Sequence, residues 1–543
     1  MGSRPVPDAG GRSWRRRCDE LSARPSLSAA ELDELADAWF WLDDPDRSMA
    51  VRREAYRRHV EHGDDRCAAA AAWRLFADHH LVGENAPAAG WLERCRRHVE
   101  AGAGAVAVGW LAIAEADCAA TAGDHDDALR HALAGEAQGR IAGDHDLTAM
   151  GLQAVGRAQI ALGDRAAGIR RLDEAMVAVT NGELRDLFTG WVFCNVVSTC
   201  YAIGDLRRAT EWSDAAMRWC ATLRDGLMYP GLCRVYAVEL AYLRGDWDVA
   251  AEHARRATEE LTAYDPRYAG AAFSLVGDFH RVRGELDEAE AAYTRAHELG
   301  VAPQPGLALA QLARGNADDA MGALRSAWAQ SPEAPLPRAQ ILAALVDAAV
   351  AVDDDEVLGA AVAELEAIGE NTESSLLAAI AGVARGVLSL RLGDVSDAIA
   401  GLRSAAGDLD RLGFPYEAAR GRVRLADALI ASGDPVDGHL ELQRAIGQFV
   451  GLRATLDLED ARARLRPGRT PPQEPCPLSS RELDVLRLVA AGRTNVEVAN
   501  DLVISHHTVA RHMSNVRTKL GVASRTAATA LAYEHGWLRS GTE

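Results

Sequence analysis

A glycine followed by Asp, Glu or Asn recurs through most of the chain at a spacing near 40 residues. The nine glycines are Gly83, Gly123, Gly163, Gly204, Gly245, Gly284, Gly315, Gly393 and Gly433. A small residue stands five positions after each of them, and another stands twelve positions after. Glycine ends a helix where the turn needs a positive φ, and the next residue can cap the following helix. Each unit therefore predicts two antiparallel helices.

The two columns of small residues are seven positions apart, so they share one face of the second helix and are predicted to be core packing. One hairpin cannot bury its own apolar side, so the units are expected to stack into a solenoid. A degenerate unit is placed at Asp355, with Ala360 and Ala367 in the two columns. The pattern resembles the tetratricopeptide repeat, although that repeat has a period of about 34 residues.

Four segments are predicted along the chain. Residues 1–27 are expected to be partly disordered, because residues 1–11 are rich in Pro and Gly. Residues 28–460 form the repeats, with a degenerate first unit around Asp44. Residues 461–477 contain five prolines and are predicted to be a linker without helix or strand. Residues 478–538 form a last domain.

The charge is divided unevenly between the body of the chain and its end. The 543 residues carry a net charge of −20, yet residues 476–543 contain eight basic and six acidic residues. An acidic body with a basic end favours a nucleic-acid reader attached to a larger domain. No apolar run is long enough for a membrane span, and none follows Arg15–Arg17 as in a signal peptide. A cytoplasmic location without membrane contact is expected.

The sequence contains none of the common catalytic or metal-binding motifs. The nine cysteines form no C-x-x-C pair, and no His cluster completes a zinc spacing, so no metal site is predicted. The one lysine, Lys519, lies outside any Gly-rich loop, which excludes a phosphate-binding loop. G-x-S-x-G and H-E-x-x-H are absent from the sequence. The chain is therefore predicted not to be an enzyme and to need no cofactor.

The last domain is predicted to contain four helices. Ser479 with Glu482, and Thr494 with Glu497, have the spacing of capping boxes. Ser505 is expected to cap a third helix that ends before Gly521, and Ser524 a fourth. The second and third helices, joined by a tight turn, predict a helix-turn-helix at residues 495–514. On the third helix, four apolar residues are expected to form the buried stripe: Val509, Met513, Val516 and Leu520.

Three motifs of this domain resemble the LuxR-type helix-turn-helix family over about 60 residues. They begin at Leu478 (LSSREL), Ala491 (AGRTNVEVA) and Ile504 (ISHHTVARHMSN), and the string from Lys519 (KLGVASRT) follows the third. The family often has Lys where this chain has Ala510. The resemblance and the polar face of the third helix predict twelve residues that contact DNA: Arg493, Thr494, Asn495, His507, Thr508, Arg511, His512, Ser514, Asn515, Thr518, Lys519 and Arg525.

Simpler interpretations of some of these residues stay open. His507 could be an ordinary surface residue and His512 a half-buried one, and Arg493 and Arg525 could be solvated charges. Arg511 is the preferred base reader, because it lies opposite the buried stripe in the N-terminal half of its helix. Lys519 is predicted to contact phosphate, since it lies at the helix end.

The expected fold class is all-α: a tetratricopeptide-like solenoid followed by a four-helix LuxR-type domain. The array resembles the sensor regions of the large ATP-binding LuxR-type regulators, but their ATPase is missing. This resemblance implies a sequence-specific transcription regulator that binds double-stranded DNA as a homodimer, pairing through Ala527, Ala530, Leu531 and Ala532. RNA polymerase is a candidate partner, and a small-molecule or protein effector is expected on the array.

Two alternatives remain at this stage. The first concerns Trp191, Cys194, Ser198 and Tyr201, which could line an effector site on the array or pack against a neighbouring unit. The second is an interaction scaffold whose DNA-binding domain is auxiliary, which only the loss of the lysine at Ala510 favours.

Overall fold

The computed structural model describes residues 14–42, 44–223, 228–262, 266–330, 334–465, 478–490, 493–502, 504–520, 522 and 524–534. Within these ranges every regular element is an α-helix, which confirms the predicted all-α class. The chain divides into two units, Met1–Arg462 and Ala463–Glu543. No helix of the described part is long and apolar enough to span a bilayer.

The first unit is built from consecutive antiparallel helices. They are α1 Trp14–Ser22, α2 Ala29–Trp41, α3 Pro45–Glu61, α4 Asp65–Leu81, α5 Asn85–Glu100, α6 Ala105–Thr121, α7 His125–Ala142, α8 His145–Ala161, α9 Arg165–Thr180, α10 Asp186–Ala202, α11 Leu206–Cys220, α12 Met228–Arg244, α13 Trp247–Leu261, α14 Pro266–Val282, α15 Leu286–Glu298, α16 Gly306–Ala313, α17 Ala317–Gln330, α18 Pro335–Ala351, α19 Asp355–Asn371, α20 Ser375–Arg391, α21 Val395–Leu412, α22 Pro415–Ala431, α23 Pro435–Leu452 and α24 Thr455–Leu465.

In its described residues the domain that follows the array contains four helices, as predicted. They are α25 Ser480–Ala490, α26 Asn495–Asp501, α27 His506–Leu520 and α28 Arg525–Glu534.

The repeat glycines occupy the turns between paired helices. All nine have positive φ, between 72° and 91°, a region that side chains with a Cβ rarely adopt. The residue that follows caps the second helix in several units: the carboxylates of Asp124, Asp164, Asp205 and Asp434 each accept a hydrogen bond from the backbone three residues on. The columns pack tightly, and an added Cβ on Gly168 would lie 2.5 Å from the carbonyl oxygen of Gly156 on the preceding helix.

The degenerate unit is placed two residues away from the predicted register. Asp353 occupies the glycine position with φ 57°, and the carboxylate of Asp354 caps α19. Ala360 and Ala367 are exposed, so placing the two columns there was wrong. The column positions are instead Leu358 and Leu365, both buried, and α19 therefore packs through larger side chains.

The ends of the array also differ in detail from the sequence analysis. The expected first unit is present as α2 and α3, with Asp44 capping α3. The sequence analysis did not predict α1, whose Cys18 and Leu21 pack with Leu35 of α2. Helix α24 continues to Leu465, so helix extends into the predicted linker; residues 466–477 lie outside the described residues, as do residues 1–13.

The array closes on itself between hairpins that are distant in sequence. Helix α10 contacts α18, and α12 contacts α22. The Ser374 hydroxyl donates to the Gly204 carbonyl over 3.1 Å, and Arg453 and Asp248 form an ion pair at 3.2 Å. Because α10, α12, α18 and α22 are first helices of their hairpins, the first helices face the interior of this unit.

Trp191 belongs to an aromatic cluster formed by first helices. Its ring lies 5.8 Å from that of Trp73 and 6.0 Å from that of Phe188. Trp110 joins the cluster, 4.5 Å from Trp73 and 4.8 Å from Phe188. Of the two interpretations of Trp191, the structure therefore supports packing between hairpins.

Candidate nucleic-acid interface

The framework of the second unit is a small apolar core around α27. Val509 and Val516 are fully buried and Met513 nearly so, and they pack with Val485, Leu486 and other apolar residues of the surrounding helices. The predicted stripe is thus confirmed as the inward side of α27, with Leu520 half-buried against the same core. The side that carries the predicted base reader faces outward.

Both predicted capping boxes are present. Glu482 accepts hydrogen bonds from the Ser479 backbone at 2.8 Å and from its hydroxyl at 2.9 Å. Glu497 does the same for Thr494, at 2.7 and 2.9 Å. These two carboxylates are therefore engaged in starting α25 and α26.

The start of α27 is also organised as predicted. The Ser505 hydroxyl accepts from the Thr508 backbone at 3.1 Å, and the two hydroxyls lie 2.8 Å apart. The rings of His506 and His507 lie 4.1 Å apart. This first turn presents hydroxyl and imidazole groups at a helix N-terminus, a composition suited to phosphate contact.

Most of the predicted contact residues lie at the surface. Eight of the predicted residues lie on α27. Thr508 and His512 are half-buried. The other six are exposed: His507, Arg511, Ser514, Asn515, Thr518 and Lys519. Within the described residues Arg511 has no hydrogen-bond or ion-pair partner. An exposed guanidinium on an acid-free helix is available to a base edge.

Four further predicted residues lie together near the start of α26. The Arg525 guanidinium donates to the backbone carbonyl of Arg493 at 3.0 Å. Arg493 itself lies 3.8 Å from the Asp501 carboxylate, and Thr494 and Asn495 follow it directly at the start of α26. The structure thus brings Arg493, Thr494, Asn495 and Arg525 into one patch, in which both arginines have intramolecular contacts.

Lys519 has a partner that sequence reasoning missed. Its ammonium donates to Glu482 Oε2 at 2.7 Å, and the Glu482 side chain is only 6% exposed. The ion pair with Lys519, together with the Ser479 hydrogen bonds, lowers the pKa of Glu482 to about 2. Lys519 therefore ties the end of α27 to the start of α25, and its predicted phosphate contact stays a prediction.

Arg517 is a surface cation that the sequence analysis did not select. It is exposed and lies seven residues after Ala510, so the two share a side of α27. The spacing was the available signal, because a basic residue two turns away can reach the same stretch of backbone. Arg481 was also missed, and it donates to the Leu502 carbonyl at 2.8 Å.

The predicted pairing surface on α28 is partly internal. Ala532 is fully buried in the core of the unit together with Ala528, so its placement on a dimer surface was wrong. Ala527 is half-buried, and the side chains of Ala530 and Leu531 lie outside the described residues.

Comparison with known proteins assigns this unit to a domain class. The family model "Bacterial regulatory proteins, luxR family" matches residues 476–532. Over this region the chain is 41% identical across 58 residues to the transcriptional regulatory protein LiaR of Bacillus subtilis, covering 11% of this chain and 28% of that protein. It is 47% identical across 57 residues to a nitrate/nitrite response regulator homolog of Haemophilus influenzae, covering 10% and 27%.

Residues 476–532 therefore form a LuxR-type helix-turn-helix domain, a class that implies DNA binding. A further relative is the uncharacterized regulatory protein YvfU of Bacillus subtilis, 39% identical over 62 residues. The aligned stretch spans less than a third of the length of these relatives. Among solved structures, the APC/C hetero-tetramer Cut9–Hcn1 aligns over 82% of this chain and 92% of its own at 14% identity, with a TM-score of 0.37.

Proposed function

We propose that this protein is a sequence-specific DNA-binding transcription regulator whose helical array receives an effector signal. The observation that carries the proposal is the outward face of α27, where Arg511 is exposed and no acidic residue occurs. In a LuxR-type domain this helix is the one expected to enter the major groove. A bidentate contact from arginine to guanine contributes about 1–3 kcal/mol of discrimination.

Arg517 supports DNA binding by this domain, although Ala510 stands where relatives often have a lysine. Relatives in this family often carry a lysine at the Ala510 position, and its loss removes one cation from that side of the helix. Arg517 lies on the same side two turns later and can supply the missing charge to phosphate. This compensation favours a DNA-reading domain over the auxiliary domain of a scaffold.

The experiment that tests the proposal uses the full chain and random duplex DNA. Bound duplexes are selected and sequenced, and the best sequence is compared with a scrambled duplex by fluorescence anisotropy. Arg511→Ala should lose discrimination between the two, whereas Arg487→Ala should not. Arg487 is the matched control, because it is an exposed arginine of the same unit that pairs with Asp484 on α25. Selection of no preferred sequence by the wild-type chain would overturn the proposal.

Pairing on DNA is part of this proposal. Two half-sites about one helical turn apart are expected if two copies bind in the manner of helix-turn-helix dimers. RNA polymerase remains a candidate partner of the bound dimer. A footprint over a single half-site with one chain per duplex would contradict the paired arrangement.

The effector is proposed to act on the interior of the array. Glu239 of α12 has a buried carboxylate oxygen, Oε2, without a hydrogen-bond partner among the described residues. Burial raises the pKa of Glu239 to about 8, and Asp278 of α14 adds to the rise. A cationic ligand that displaced the Glu239 proton would give Oε2 a partner, so amines are the first compounds to screen by thermal shift. Glu239→Gln should abolish any stabilisation found, and an unchanged response would exclude this position.

A further inference from the structure

Three side chains with metal-binding chemistry meet at the turn between α3 and α4. Ligand atoms of His59, Asp64 and Cys67 all lie within 4.8 Å of one another. His59 is buried, and Asp64 and Cys67 are half-buried. Imidazole nitrogen, carboxylate oxygen and thiolate sulfur are the ligands that Zn²⁺ takes in proteins. Zinc bonds of about 2.0–2.3 Å place tetrahedral ligands about 3.5 Å apart, so small side-chain shifts would close the site.

Two other turns of the array show what the same backbone does without a cysteine. His79 bonds Glu84 at 2.5 Å, and His280 bonds Glu285 at 2.6 Å. In both turns the histidine lies five residues before the acid and pairs with it directly. His59 has the same spacing to its turn acid, but this acid is an aspartate, one methylene shorter than glutamate, and its carboxylate caps α4.

The first turn departs from this arrangement. His59 Nε2 bonds Asp33 of α2 at 2.8 Å, and Asp64 Oδ1 accepts from the Cys67 backbone at 3.0 Å. Histidine and turn acid are therefore held by other partners, and the thiol completes the group. Because His59 Nε2 bonds Asp33, Nδ1 is the ring nitrogen that remains to bind a metal.

Asp33 supplies the orientation that metal-binding histidines require. A carboxylate bonded to the second ring nitrogen fixes the ring and raises its basicity, which is the arrangement found behind many zinc ligands. A thiol binds a metal as the thiolate, so metal binding releases the thiol proton and should strengthen as the pH rises.

We propose that His59, Asp64 and Cys67 form a binding site for Zn²⁺ or a similar divalent transition metal, positioned by Asp33. Three protein ligands leave one coordination position open for water or a further ligand. The site lies at the start of the array and joins the end of α3 to the start of α4. Metal occupancy would therefore fix the arrangement of α2, α3 and α4.

The test uses the full chain after treatment with a chelator, with Co²⁺ as the spectroscopic probe. Thiolate coordination gives a sulfur-to-cobalt charge-transfer band in the near ultraviolet, and tetrahedral geometry gives strong visible bands. The wild-type chain and Cys118→Ser should both show these bands, whereas Cys67→Ser should lose the charge-transfer band. Cys118 is the matched control, because it is also half-buried but lies outside the group.

Zinc affinity, measured by competition with a chromophoric chelator, gives a second readout. His59→Gln should weaken binding at least as strongly as Asp33→Asn, for which about 10–100-fold is expected for loss of an orienting partner. His79→Gln, at the turn without a cysteine, should leave the affinity unchanged. Far-UV circular dichroism checks that each variant is folded.

The proposal is overturned by any of three results. These are a cobalt spectrum without a thiolate band, an unchanged zinc affinity in Cys67→Ser, or an equal loss in His79→Gln. The second and third would show binding at other side chains.

Discussion

Replacing Lys519 by methionine separates a structural role from a DNA-contacting one. The ammonium lies 2.7 Å from Glu482 Oε2, and the Glu482 side chain is 6% exposed while that of Lys519 is 42% exposed. Lys519→Met keeps the length of the side chain and leaves a nearly buried carboxylate with only its Ser479 hydrogen bonds. We expect the second unit to lose stability, because an almost buried charge is left without its counterion.

The magnitude follows from the pKa of Glu482, which falls from 4.5 to about 2 in the folded chain. At about 1.4 kcal/mol for each pKa unit, this fall corresponds to about 3 kcal/mol for all its causes together. Lys519 is the largest cause, and the Ser479 hydrogen bonds account for part of the rest. Because solvent screens the exposed lysine, we expect Lys519→Met to cost about 1–2 kcal/mol.

The assay is hydrogen exchange of α25 and α27 amides in the full chain, followed by mass spectrometry. Arg487→Met is the control, because its pair with Asp484 is exposed on both sides and should contribute less than about 1 kcal/mol. The lowered pKa of Glu482 stabilises the folded unit above its ordinary value, and this contribution is lost as the pH falls from about 4.5 towards 2. Lys519→Met should show less of this pH dependence.

Two results would refute the reasoning. One is a loss of protection in Lys519→Met no greater than in Arg487→Met. The other is unchanged protection together with a salt dependence of DNA binding reduced by about one phosphate contact, which would assign Lys519 to DNA as the sequence predicted.

Three further predictions concern other parts of the chain. Arg511→Ala should reduce discrimination between the selected and scrambled duplex by about 1–3 kcal/mol, measured by anisotropy at one salt concentration; equal losses on both duplexes would place a different face in the groove. Gly168→Ala should destabilise the array by about 1–3 kcal/mol, because its Cβ would meet the Gly156 carbonyl, whereas Gly322→Ala in the open middle of α17 should stabilise it by about 1 kcal/mol; urea denaturation compares them, and equal effects would contradict the packing argument. Glu239→Gln should raise the melting temperature more at pH 9 than at pH 6. Burial raises the Glu239 pKa to about 8, so the folded state of the wild-type chain loses stability as the pH rises to that value. A shift in melting temperature that does not depend on pH would exclude an ionising Glu239.

The turns and caps could be predicted from sequence because their determinants are local. A positive φ selects glycine, and a helix start selects a capping side chain. Gly204 with Asp205 could therefore be recognised as a turn, and Ser479 with Glu482 as a helix start. The register of the unit at Asp353 was predicted wrongly because its turn lacks this local signal. An aspartate took the glycine position, and an alanine-rich chain offered small residues in a false register at Ala360.

Long-range pairs could not be predicted in this way. Lys519 and Glu482 are 37 residues apart, and Asp33 and His59 are 26 residues apart. No local spacing in the sequence indicates either contact. The group of His59, Asp64 and Cys67 lies within nine residues, yet its spacing matches no zinc motif. In the turns at His79 and His280 a glutamate bonds the histidine directly, whereas Asp64 caps α4 and leaves its histidine to Asp33.

The contact between Ser374 and Gly204 changes how the array must fold. In an open solenoid each repeat touches only its neighbours, so folding can begin anywhere and spread along the chain. Here a hydrogen bond joins residues 170 apart, and an ion pair joins residues 205 apart. These contacts raise the contact order, and the chain between them must lose entropy before they form. The closed part of the array should therefore unfold as one cooperative block, so that a substitution that destabilises α12 should also destabilise α22.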